Sequence, residues 1–66
     1  MTETQKDLTM LLMHHKLRDK AIIGTVLFLQ KQQQQEQMIN YLIKNKDNEI
    51  TEDMIIKELR RILENA

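Results

Sequence analysis

Between Leu29 and Met38 stand eight consecutive residues without an apolar side chain, Gln-Lys-Gln-Gln-Gln-Gln-Glu-Gln, in a chain that is otherwise densely apolar. How the apolar segments on either side relate across this stretch decides the architecture. One continuous helix is geometrically allowed, because Leu27 and Met38, like Phe28 and Ile39, are eleven residues apart, close to three whole turns, so both patches would lie in phase. Such a helix would run from about Asp19 to Asn45 with two turns that touch nothing, although helices in water draw most of their stability from packing. A short junction around Lys31 to Gln33 that starts a new helix lets the patches fold onto each other, and it is the expected arrangement. A disordered linker is disfavoured, since Gln and Glu are good helix formers and no Gly, Pro or Ser accompanies them. Nor is the run an aggregation tract: only four glutamines are contiguous, and Lys31 and Glu36 interrupt the stretch.

The rest of the chain points the same way. With no Pro, one Gly, and Gln, Leu, Lys, Glu, Met and Ile dominating, nearly every window suits a helix and few suit a sheet. The expected fold is all-α, a single domain over residues 1–66. It is a compact bundle of three to four short helices, near 4–16, 19–31, 33–45 and 51–64. The alternative is one long helix, 19–45, folded against helices 4–16 and 51–64. No repeat and no sustained heptad is present.

Each segment carries its own signals. The first can be capped by Thr2 or Thr4; Leu8, Leu11 and Leu12 form a core stripe, while Met10, Met13 and Leu17 form a second one, so apolar groups cover most of the circumference. The second starts at Asp19 as N-cap and is apolar all round, which makes it the expected central helix. Its Gly24 costs roughly 1 kcal/mol against Ala, and with Ala21 and Thr25 beside it the spacing predicts a close helix approach. The third carries Met38, Ile39, Leu42 and Ile43, with Tyr41 alongside, and gives way to the polar loop Asn45-Lys46-Asp47-Asn48. In the fourth, Thr51 is the N-cap, Glu52 and Asp53 occupy the first turn, and Ile50 can staple onto Ile55. Ile55, Ile56, Leu59, Ile62 and Leu63 then form a one-sided stripe, with Lys57, Glu58, Arg60, Arg61 and Glu64 outside it.

Several function classes fail on residue types. Without Cys or Ser, and with Gly24 as the single glycine, thiolate, serine-nucleophile and phosphate-loop chemistry have no starting residue. No enzyme, catalytic residue, cofactor, metal or small-molecule substrate is expected. His14 and His15 are adjacent and point about 100° apart on a helix, so they cannot chelate one ion together; His15 and Asp19 could supply two ligands, but no spacing suggests a third. Ten acidic and ten basic residues cancel, removing the long-range field that draws proteins to nucleic acid or anionic membranes. The uncharged run from Ala21 to Leu29 would rise about 14 Å, against a hydrocarbon core of about 30 Å, so no membrane span is expected and the expected compartment is the cytoplasm.

Two readings remain. At 66 residues a single core only just offsets the entropy of folding, and with no disulfide or metal staple, oligomerisation is the remaining support. The expected function is therefore that of a small non-enzymatic protein–protein interaction module, self-associating as a homodimer or held by another protein. The expected interface is on the first two helices: Met10, Met13, Leu17, Ile23, Leu27 and Phe28. Met10, Met13, Met38 and Met54 all lie in or beside helical stripes; adaptable Met-lined surfaces can bind partner helices, but Met at this spacing is more often ordinary core, and the surplus of apolar surface is the stronger argument for a partner. The alternative is a DNA-associated transcription regulator using the C-terminal helix, where Lys57, Arg60 and Arg61 follow a loop. Against it, the helix start is acidic through Glu52 and Asp53, and its first turn has no Asn, Gln or Arg to read bases. RNA stacking would have only Phe28 and Tyr41. The Lys, Ile and Asn bias resembles that of short helical proteins of bacteria, a likeness that carries no motif and no functional residue.

Overall fold

A computed structural model describes residues 2–64 and consists of four helices: α1 (Glu3–His14), α2 (Lys20–Leu27), α3 (Gln32–Lys44) and α4 (Glu52–Glu64). The chain is all-α, as expected, and no helix among the described residues is long and apolar enough to cross a membrane. Two helices end earlier than the sequence reading placed them, α1 at His14 and α2 at Leu27.

Thr2, rather than Thr4, starts α1. Its hydroxyl accepts from the Gln5 backbone N–H at 3.2 Å while Gln5 Oε1 accepts from the Thr2 N–H at 3.1 Å, a reciprocal capping box. The helix stops at His14 instead of running to Lys16. The Lys16 N–H donates to Met13 O at 2.9 Å and the Leu17 N–H to Leu12 O at 3.0 Å, the paired bonds of a Schellman motif. Lys16 takes the left-handed conformation at φ 60°. That turn drives Leu17 inward, so it is 6% exposed and joins the core rather than a helical stripe.

Asp19 caps α2 as expected, its Oδ1 accepting from the N–H groups of Ala21 at 2.9 Å and Ile22 at 3.4 Å. The helix ends at Leu27, short of the expected residue 31, and the reversal at residues 28–31 removes the alternative of one helix over 19–45. The glutamine stretch is the first half of α3, starting at Gln32. Its N-cap, Lys31, makes no side-chain cap bond. Stability at this corner comes from elsewhere: Leu29 is buried, the Gln35 amide donates to Leu29 O at 2.6 Å, and the Gln5 amide donates to Leu27 O at 3.3 Å. Two glutamines thus satisfy carbonyls that the end of α2 leaves without partners.

At the opposite end His15 Nε2 lies 3.2 Å from Leu42 O and His14 Nε2 lies 3.1 Å from Lys46 O. A ring N–H donates in each case, because the carbonyl can only accept. With Gln5 tied to one end of the bundle and the histidines to the other, α1 and α3 point the same way while α2 and α4 return. Around the bundle the order is α1, α2, α4, α3. The backbones of the second and third helices also come close across the middle, whereas those of α1 and α4 stay apart. Centrality is therefore divided between α2 and α3, not held by α2 alone.

Twelve apolar side chains form one core, with Leu8, Val26, Met38, Leu42 and Ile55 fully enclosed. The last helix begins as expected: Thr51 Oγ1 accepts from the Met54 N–H at 3.3 Å, and Ile50 and Ile55 are both buried in the core. Gly24 departs from expectation. Among the described residues no atom beyond its chain neighbours and its own helix backbone lies within 4 Å of the place a Cβ would occupy, so no other helix approaches it closely.

Thermal denaturation should separate these local effects. Gly24→Ala should stabilise the fold by up to about 1 kcal/mol, the helix-propensity difference with no steric cost. Thr51→Ala should destabilise by roughly 1 kcal/mol through loss of the cap. Lys16→Gly should stabilise, because a left-handed residue with a side chain carries a strain of about 1–2 kcal/mol that glycine avoids. A lower melting temperature for Lys16→Gly would mean that the Lys16 side chain contributes more than its backbone strain.

Candidate functional site: two apolar faces

The six residues expected to form one interface do not share a surface. Leu17 is in the core, and Ile23 and Leu27 are partly buried against it. Met10, Met13 and Phe28 are exposed, but Met10 and Phe28 line different grooves. The expected α1/α2 surface is replaced by two faces on opposite sides of the bundle. Sequence spacing could not separate them, because which of two adjacent apolar rows turns inward depends on where the neighbouring helices lie.

The first face lies between α1 and α3. Met10, 69% exposed, and Ile43, 50% exposed, flank a groove of about 440 Å³ whose floor is made by Leu11 and Ile39. Asp7 stands on the groove near the start of α1, and His14 and Lys46 stand where α1 and α3 end. Met38 and Leu42 are the buried row of α3, so Ile39 and Ile43 are the row left over.

The second face lies between α2 and α4. Phe28 is 83% exposed at the end of α2, and Leu63 and Ile56 stand on the facing edge of α4. They edge two adjoining grooves that share Ala21, Thr25 and Leu63; the larger has a volume of about 670 Å³. The exposure of Ile56 and Leu63 was missed in the sequence, where both count towards the α4 stripe. The available signal was adjacency: Ile55 with Ile56, and Ile62 with Leu63, cannot both face one core, since neighbours on a helix diverge by about 100°.

Among the described residues no three metal-binding side chains converge. Lys16 breaks the helix between His15 and Asp19, and Asp19 Oδ1 is occupied by the α2 cap. On the α3/α4 side the Glu58 carboxylate holds the Arg61 guanidinium in a two-point pair. Burial, and then the Glu58 carboxylate, push the Tyr41 phenol above its ordinary range. Of the three basic groups that a DNA-reading α4 would use, Arg61 is therefore engaged within its own helix, and Glu52 and Asp53 are exposed at the end that would approach the bases. Comparison of the chain with family models, with curated proteins and with solved structures finds no match.

Core and surface roles predict opposite responses to truncation. Leu17→Ala should lower stability by about 2–5 kcal/mol. Phe28→Ala should stay within about 0.5 kcal/mol of the parent, as exposed sites do. Denaturant midpoints measure both, and a large loss for Phe28→Ala would show that its ring supports the fold.

Proposed function

We propose that the chain is a non-enzymatic protein–protein interaction module that pairs with a second copy of itself through the α1/α3 face. The observation that carries the reading is the exposed Met10 and Ile43 on a groove with opposite charges at its two ends. A two-fold axis across the middle of such a groove sets Asp7 of one protomer against Lys46 and His14 of its partner, and apolar centre against apolar centre. Isologous contacts of this kind close on themselves and leave no free end. Methionine suits the centre, being flexible enough to fill an irregular gap.

The apolar centre dominates the energetics, because exposed ion pairs at the rim contribute only about 0.2–1 kcal/mol each. A stable pair needs roughly 600 Å² from each protomer, about an eighth of the 4894 Å² that the chain exposes. One face of the bundle is enough. Apolar association should also be nearly insensitive to salt, whereas the DNA reading requires affinity that falls steeply with salt through phosphate contacts.

Sedimentation at micromolar concentration should give the mass of a dimer. Met10→Glu should shift it to monomer without lowering the melting temperature by more than a few degrees. Asp7→Lys should weaken the dimer, and adding Lys46→Asp should restore it, a rescue that a nonspecific apolar contact would not show. A monomer mass for the parent protein, or salt-dependent binding of duplex DNA in its place, overturns the proposal.

A further inference from the structure

The α2/α4 face lies across the bundle from the proposed dimer contact and does not depend on it. We propose that this groove seats an amphipathic helix of a partner protein whose flanks are acidic. Its floor on α2 is Ala21, Gly24, Thr25 and Phe28, spaced i, i+3, i+4 and i+7 along one side of the helix. That is the row into which the ridge of a second helix packs. The space over Gly24 is open, with nothing within 4 Å of a Cβ position, so a docking helix can come close where no helix of the chain itself does. Phe28 and Leu63 stand exposed on the two sides as apolar walls.

Charge selects the occupant. The charged side chains lining the two adjoining grooves are Lys20, Lys31 and Arg60, all cationic. A second copy docked face to face would set these cations against one another, which disfavours self-association here. An acidic-flanked helix meets them with opposite charge, and its apolar stripe fills the floor.

Gln34 lines the same groove from α3 and is only 8% exposed.

The test is a display selection with the full chain as bait and a library of sixteen-residue helical peptides, built with Leu at i, i+3, i+4 and i+7 and with randomised flanks. The expected outcome is enrichment of Glu and Asp at the flanks. For the best peptide, Lys31→Glu should weaken binding at least tenfold. Gly24→Leu should abolish it while leaving the melting temperature at or above the parent value, because the added side chain fills the groove without meeting the core. Recovery of basic or neutral flanks, binding unchanged by Gly24→Leu, or no recovered peptide would overturn the proposal. So would preferential binding of the protein to phosphatidylserine vesicles, which would assign the same cations and Phe28 to a membrane surface. Sedimentation of the Gly24→Leu variant should still give the parent mass, which separates failure here from failure of the self-association reading.

Discussion

The bundle depends on one reversal of the chain, between the end of α2 at Leu27 and the start of α3 at Gln32. Without it, Met38 and Leu42 would lie far along the axis from Val26 and Ile22, and the apolar residues could not enclose a single core. Four residues make the turn with neither proline nor glycine. Leu29 is its anchor, buried while its neighbours Phe28 and Gln30 remain exposed. The corner is then tied by amides, since Gln5 from α1 and Gln35 from α3 donate to the carbonyls of Leu27 and Leu29. One end of three helices is thereby held together. The other end has a matching arrangement, with His14 and His15 on the carbonyls of Lys46 and Leu42.

A core closed in this way leaves apolar surface over. Each helix carries two adjacent apolar rows, and in a bundle of this size only one row per helix turns fully inward. Met38 and Leu42 go in while Ile43 stays out; Ile55 and Ile62 go in while Ile56 and Leu63 stay out. The surplus falls into two opposite faces, α1/α3 and α2/α4, and their charges differ in kind. Mixed charge at the ends of the first suits self-pairing, and uniform positive charge around the second suits an acidic partner. A protein of zero net charge can still present a cationic groove, because the charged side chains that line it are Lys20, Lys31 and Arg60, with no acidic residue among them.

Much of the architecture could be read from local chemistry. Helical class followed from composition, the starts of α2 and α4 from the Asp19 and Thr51 caps, and the burial of Ile50 from its place before a cap. That the chain reverses here was legible, because a long unsupported helix gains too little to compete with folding back, but the reversal occupies residues 28–31 rather than the expected Lys31 to Gln33. These features depend on neighbours within a turn or two, and local energetics decide them.

What only the tertiary structure decided was the fate of residues whose local signals were ambiguous. Leu17 looked like part of a helical stripe and became core, because a Schellman turn at Lys16 redirects the chain. Gly24 looked like a site of close packing and lies under open space, since the neighbouring helix places Leu63 and Ile56 at the groove edge instead. Gln34 sits in a stretch that is polar throughout, yet is almost wholly buried, while Phe28 sits in an apolar run and is almost wholly exposed. Sequence by itself determined which residues could form helices and where most of them start. The packing of four helices around a core of twelve side chains determined which apolar rows were enclosed, because a small bundle has too little interior for them all and only the relative placement of the helices selects among them.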